Sequence, residues 1–263
     1  MSVLVVIIPV YNKIYNLNDF EKSSISNTIL KFADSPIFFV GPLSIEDEYI
    51  INYPNIKFIC FSDLYFQSID GYNKLLKSKI FYDAFSKFSF MLIVQTDAWI
   101  FGTSKELQPF YKFDYCGAPS YCQNQFVGFN GGLSLRNIKS CISALNRYLS
   151  HESFFDIVKR HFVGSSFFKF ILYKWLIVMF DYFFRSRIHF LFNTMNKINE
   201  DIFWSVLVPK AKANFKINDF DTALKFSWEH NSEEFIQNHS LPFGCHGWWN
   251  YNYSFWENHI KIN

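Results

Sequence analysis

Three short polar clusters stand out in a chain whose residues are 50% apolar: Gln95-Thr96-Asp97, Asn199-Glu200-Asp201 and Cys245-His246-Gly247. Asp97 falls between the apolar residues 90–94 and 98–100, so its carboxylate belongs near the interior, where an unpaired charge costs several kcal/mol. The backbone amides of a turn or of a following helix would pair it. Glu200 and Asp201 open a helix-like stretch. The positive end of a helix dipole keeps such a carboxylate ionised and able to take a proton, although acids in a first turn also simply stabilise helices. His246 lies in a Gly-containing loop among aromatics, where a lone imidazole ordinarily fills a core or surface position.

The elements that must position these clusters can be read from the apolar pattern. Residues 3–10, 36–42, 55–63 and 90–94 are strand-like runs, and the first ends in Pro9, Val10, Tyr11 and Asn12. Residues 23–33 are helix-like, and Leu75, Leu76, Ile80, Phe81, Ala84, Phe85 and Phe88 give residues 68–88 helical spacing. Strands alternating with helices predict an α/β fold, a mostly parallel sheet with helices on both faces. Ligands bind such sheets beyond the carboxyl ends of the strands. Pro9 to Asn12, Asp63 and Gln95 to Asp97 all fall there. Gly131 and Gly132, in "FNGGLSLRN", permit positive φ and let backbone NH groups approach a ligand, or else form a hairpin turn. A helix over 138–149 follows.

With 263 residues and no disordered linker or internal repeat, one domain spanning 1–263 is expected. A net charge of +2 and the lack of a basic, aromatic-interleaved module exclude a nucleic-acid binder. Cys60, Cys116, Cys122, Cys141 and Cys245 form no CxxC pair, so we expect reduced thiols in a cytoplasmic protein rather than a zinc knuckle. The first residues, broken by Pro9 and lacking a basic start, read as a core strand rather than a signal peptide.

Residues 151–197 differ in character, with seven Lys/Arg against three Asp/Glu. The 18 residues 167–184 are apolar enough to raise the question of a membrane span, but Lys169, Lys174 and Asp181 argue against one. At helical pitch Phe168, Ile171, Leu172, Trp175, Leu176, Met179, Phe180 and Phe183 share one face. An amphipathic helix lying on a membrane surface fits this pattern, and so does one packed on the protein's own core or on a second subunit.

Together, "IIPVYN", a strand ending "QTD", "VGFNGGLSLRN", "NEDIFW", "FSWE" and "PFGCHGW" resemble, in order, the nucleotide-sugar glycosyltransferases of the GT-A type. The general likeness is to β-1,4-galactosyltransferase and fringe-like enzymes. Closer still is a bacterial family taken to be sugar transferases, with "QTDA", "GAP", "NGGLSLR" and "ED" signatures. The likeness covers nearly the whole chain except 151–197, an apparent helical insertion. It implies a GT-A-like, Rossmann-like sheet and an inverting transferase of the hexosyltransferase type. The donor would be a nucleotide-diphosphate sugar; the acceptor, a hydroxyl of a glycan or lipid-linked molecule in lipopolysaccharide or capsule synthesis. It implies a divalent cation, Mn²⁺ or Mg²⁺, held by Asp97 and His246, with Gln95 standing where the family's Asp-x-Asp motif has its first acid. Asp201 would be the catalytic base and Glu200 would hold hydroxyls. The donor would meet Pro9, Tyr11, Asn12, Asp63, Tyr72, Asn73, Lys74, Gln95, Thr96, Asp97, Asn130, Gly131 and Gly132. Glu229 matches a family position without a fixed role. A cytoplasmic enzyme, peripheral at the inner face of the membrane or a homodimer through 151–197, is the expectation. The missing first acid motivates the alternative of a non-catalytic scaffold that binds a partner or membrane through 151–197. A hydrolase or nucleotidyltransferase ranks last, because no Gly-rich, basic loop follows the first strand.

Overall fold

Consecutive apolar residues make the central strands because helices cover both faces of the sheet. The structure is a computed structural model and describes residues 3–122, 125–149, 179, 198–211 and 214–262. Strands β1 (Leu4–Pro9), β2 (Ile37–Pro42) and β4 (Phe90–Val94) are buried at every position, while β3 (Lys57–Phe61) lies at the edge and is partly exposed. With β6 (Tyr115–Cys122) and β7 (Gln125–Asn137) they form one sheet of six strands in the order β3-β2-β1-β4-β7-β6. The first four pair in parallel; β7 runs antiparallel to both of its neighbours. Side-chain alternation splits the core. Val5, Ile7, Met91 and Ile93 pack on one face with Tyr82 and Trp204, and Leu4, Val6, Ile8 and Leu92 on the other with Phe32 and Tyr49. Each such buried aliphatic side chain contributes about 1.5–3 kcal/mol.

Helix α1 (Asp19–Lys31) starts at a reciprocal cap: the Glu21 amide donates to Asn18 Oδ1 at 2.9 Å and the Asn18 amide to Glu21 Oε2 at 3.0 Å. After α2 (Glu46–Asn52), the helix expected over 68–88 is two helices, α3 (Ile69–Leu76) and α4 (Lys79–Ala84). Ser78 divides them by accepting the Phe81 amide as a new N-cap, a local bond that apolar spacing does not reveal. Helix α5 (Ile138–Leu149) matches its expected bounds. Further on, α6 (Glu200–Ile202) passes through a π-helical stretch, Phe203–Leu207, into α7 (Val208–Ala211), and α8 (Phe220–Phe226) follows.

A second sheet, unforeseen in the sequence, joins three two-residue strands: β5 (Trp99–Ile100), β8 (Ser227–Trp228) and β9 (Gly244–Cys245), in the order β5-β9-β8. Short helices α9 (Ser232–Phe235), α10 (Trp248–Tyr251) and α11 (Tyr253–Trp256) surround it. Cys60, Cys116, Cys141 and Cys245 are free thiols, and the side chain of Cys122 lies outside the description. The insertion 151–197, apart from Met179, lies outside the described residues, and with it the expected amphipathic helix and its docking role. Among the described residues no helix is long and apolar enough to cross a membrane.

Candidate functional site

The small second sheet explains why three distant polar residues meet. Strands β8 and β9 are parallel with Trp228 opposite Cys245, so the residues that follow, Glu229 and His246, leave the sheet side by side. Strand β5 is antiparallel to β9 with Trp99 opposite Cys245, which brings the residues before β5, including Asp97, to the same end. His246 accordingly sits between two carboxylates: Nε2 is 3.1 Å from Asp97 Oδ1, and Nδ1 is 3.1 Å from Glu229 Oε1. Gln95 Oε1 is also 3.1 Å from Nε2. Burial alone would push the Asp97 carboxyl up, but His246 outweighs it and holds the carboxyl below its usual value. Burial would likewise lower His246, yet Asp97 and Glu229 push it up to about 10. As placed, the ring is an imidazolium bridging two carboxylates. Within the chain Asp97 is paired mainly with His246, and its Oδ2 also accepts from Asn250 Nδ2 at 3.5 Å.

Strand β7 brings the glycines beneath this cluster. Its register with β4 sets Val94 opposite Leu133, and the Gln95 amide donates to the Gly132 carbonyl at 2.9 Å. A Cβ on Gly132 would lie 2.0 Å from His246 Nε2, and one on Gly131 would lie 1.9 Å from Glu200 Oε1. Neither glycine has positive φ, and both lie inside a strand rather than at a hairpin turn. Their sequence rationale is corrected accordingly: what is needed is room for two side chains. Asn130 links the parts, donating through Nδ2 to Glu229 Oε1 at 2.9 Å and accepting the Gly132 amide at 2.6 Å.

Across the cleft stands α6. Glu200 is buried against Arg136 of β7, with Nη2 donating to Oε1 at 2.9 Å and Nη1 2.8 Å from Oε2. Asp201, the next residue, lines the cleft. The expected dipole stabilisation does not govern it: burial, then the charge of Glu200, push the Asp201 carboxyl up to about 6. The π-helical stretch follows at once, a departure from α geometry common at functional sites.

The cleft encloses about 740 Å³ at the carboxyl ends of β1 and β4. Of the expected residues, Pro9, Tyr11, Tyr72, Asn73, Gln95, Thr96, Asp97, Asn130, Gly131, Gly132, Glu200, Asp201 and His246 line it. Asn12, Asp63 and Lys74 do not. Asn12 offers its carbonyl to the Tyr49 hydroxyl, and Asp63 Oδ1 accepts the Leu43 amide in a surface turn after β3. Lys74 points outward from α3, one position past the buried Asn73. For Asn12 and Asp63, nearness in sequence to a strand end does not fix the direction of the side chain; Lys74 falls on the outer face of α3. Residues that sequence reasoning missed are Asn18, Glu21, Arg136, Trp249 and Asn250. The capping signal Asn18-x-x-Glu21 is legible in the sequence, but not that Thr96 Oγ donates to Glu21 Oε1 at 3.2 Å and so fixes α1 on the cleft wall. The Tyr72 hydroxyl is buried, and the Gln95 side chain is the polar group that faces it.

Among the described residues no group of three or more His, Cys, Asp or Glu side chains is arranged to hold a metal ion. Asp97 and His246, with the Gln95 amide oxygen, form a smaller donor set of mixed oxygen and nitrogen. Both oxygens lie 3.1 Å from His246 Nε2. Glu229 behind Nδ1 is the carboxylate that orients a ligating imidazole. The residues present thus fit an open site in which a ligand supplies the remaining donors.

Among solved structures, mouse xyloside xylosyltransferase 1 is similar in fold, with a TM-score of 0.51 and 10% identity over 92% of this chain and 96% of that one. GlyE, a glycosyltransferase of Streptococcus pneumoniae TIGR4, gives a TM-score of 0.46 and 13% identity over 94% of this chain. The chain spans about half of GlyE, 54% of its length. The galactosyltransferase LgtC gives 0.45 and 11% over 92% of this chain and 86% of that one. The largely parallel sheet flanked by helices is the GT-A glycosyltransferase fold. No curated protein sequence matches the chain. A family model does match, from residue 55 in the loop before β3 to His246 itself, and the chain belongs to that family, described as "Protein of unknown function (DUF5672)".

Proposed function

We propose that the chain is a metal-dependent, inverting glycosyltransferase, a single domain over 1–263. It moves a sugar from a nucleotide-diphosphate donor to a hydroxyl of a glycan or lipid-linked acceptor. One observation carries the reading: a cluster able to hold a cation (Asp97, Gln95, His246) and a carboxyl with a shifted proton affinity (Asp201) line the same cleft beyond the strand ends. Bound to Asp97 and His246, Mn²⁺ or Mg²⁺ would offset the negative charge of a departing diphosphate. To hold the cation His246 would have to be unprotonated at Nε2, with Glu229 fixing the ring through Nδ1. Asp201 takes the proton of the acceptor hydroxyl as that oxygen attacks the anomeric carbon. A base that titrates near 6 is ionised at neutral pH yet still basic enough to accept. The exposed ring of Tyr11 and the buried hydroxyl of Tyr72 serve the nucleotide. Placement in the cytoplasm, with 151–197 docking on the inner face of the membrane or on a second copy in surface-polysaccharide synthesis, belongs to the same proposal.

Thermal unfolding with UDP-, GDP- and CMP-sugars, with and without Mn²⁺, tests it. A donor at a hundred times its Kd adds about 2.7 kcal/mol of stability. This stabilisation should need Mn²⁺ and vanish in Asp97→Asn; Asp201→Asn should bind the donor but fail to transfer. A second reading, a non-catalytic scaffold, is favoured by Gln95 in place of an acid. Mn²⁺-dependent nucleotide-sugar binding would count strongly against it, and transfer of the sugar would exclude it.

A further inference from the structure

Arg136 is wholly buried, and a buried guanidinium requires partners for its charge and its donors. Besides its two-point contact with Glu200, Nε donates to Ser134 Oγ at 3.0 Å and Nη1 to the Tyr82 hydroxyl at 3.0 Å. The Tyr115 ring lies 5.2 Å from the guanidinium carbon. The Glu200 carboxylate is seated over the bare Cα of Gly131. From α3, Asn73 Oδ1 accepts the Glu200 amide at 2.9 Å, and Asn73 Nδ2 donates to Asn199 Oδ1 at 3.2 Å. Residue 200 is thereby held by its backbone and by its side chain.

Nothing comparable holds Asp201 among the described residues. Helix α6 has no side-chain cap, and the hydrogen bond that Asp201 Oδ1 accepts comes from its own neighbour, the Ile202 amide, at 2.7 Å. Successive helical residues diverge by about 100°. Turning Glu200 toward β7 therefore turns Asp201 into the cleft.

We infer that Arg136 is a positioning residue: by clamping and neutralising Glu200 it aims the Asp201 carboxylate into the cleft and keeps it the proton acceptor there. This rests on the reading of Asp201 as the base. The charged groups acting on Asp201 are Glu200 beside it, Glu229 after β8, Arg136 on β7 and Lys77 after α3. Burial and the two glutamates push its carboxyl up, and Arg136 pulls it down. Arg136 and Glu200 thus act on Asp201 with opposite signs.

The ¹³C carboxyl titration of Asp201, its signal identified by loss in Asp201→Asn, tests this without any substrate. Glu200→Gln removes the anion and leaves Arg136, so the midpoint should fall by about one pH unit, a tenfold change in proton affinity. Arg136→Lys keeps a cation but loses the planar fork, so Glu200 is less neutralised and the midpoint should rise. A pair that merely braces the fold would, when broken, hydrate Asp201 and lower the midpoint in both variants toward ordinary aspartate. Opposite shifts support the inference; a common downward shift, or none in either variant, overturns it. If Glu200→Gln does not fold, the direction in Arg136→Lys decides alone. Turnover of Asp201→Asn tests the base separately, so failure of the clamp and failure of the base are distinguishable.

Discussion

Gly132→Ala isolates the claim that the glycine pair exists to seat side chains. The φ of Gly132 suits any L residue, so backbone strain does not enter. The new Cβ would stand 2.0 Å from His246 Nε2, 2.3 Å from Cδ2 and 2.6 Å from Cε1, whereas ordinary contact begins at 3.4 Å. The imidazole, or the strand, must therefore give way by about 1.4 Å, beyond what the 3.1 Å contacts to Asp97 and Gln95 tolerate. Losing a charge-assisted contact is worth about 1.5–3 kcal/mol and overpacking about 1–3 kcal/mol, while Gly→Ala returns about 0.4–1 kcal/mol through the unfolded chain. The net expectation is a loss of roughly 2–5 kcal/mol, large against a total stability of about 5–15 kcal/mol. Urea unfolding should show it as a lower midpoint at unchanged m-value. In a His246→Ala background the obstacle is gone, so adding Gly132→Ala should change stability by no more than about 0.5 kcal/mol, and the cycle should show a coupling of about 2 kcal/mol or more. If Gly132→Ala is neutral in the wild type, or is equally harmful without His246, the steric argument is refuted.

Asp201→Asn should gain stability at neutral pH. The folded-state carboxyl titrates near 6, above the ordinary 3.8, so folding favours its protonated form and stability falls as pH rises from about 4 to 6. Discounted for partial exposure, the Asn variant should be about 1–2 kcal/mol more stable than wild type at pH 7.5 and equal to it below pH 4 in parallel urea curves. Asn18→Ala removes the α1 cap and should lower stability by about 1 kcal/mol in the same assay. Burial pushes the thiols of Cys116 and Cys245 well above their usual range, and that of Cys141 upward too. A thiol-reactive dye followed by mass mapping should leave all three unlabelled until the protein unfolds.

Much of the frame is legible in the sequence because its signals are local. Short unbroken apolar runs such as Leu4–Pro9 and Phe90–Val94 read as strands covered on both faces, and their alternation with helices points to the parallel part of the sheet. Most of the expected cleft residues line one cavity because strand ends of such a sheet share an edge. The sequence therefore settles the fold class and the chemical types gathered at that edge. Pairing belongs to tertiary structure. That Glu229 stands behind His246, and that Asp97 faces it, follows from the register of three two-residue strands too short to leave any periodic signal. The partner of Glu200 is a guanidinium 64 residues away, whose burial inside β7 no charge pattern discloses. A helix N-terminus would keep Asp201 ionised; its surroundings instead raise its proton affinity, because burial and a neighbouring carboxylate outweigh it. Local sequence fixes which groups are present and roughly which edge they reach, while proton affinities and partners depend on distances of a few ångströms that only packing sets.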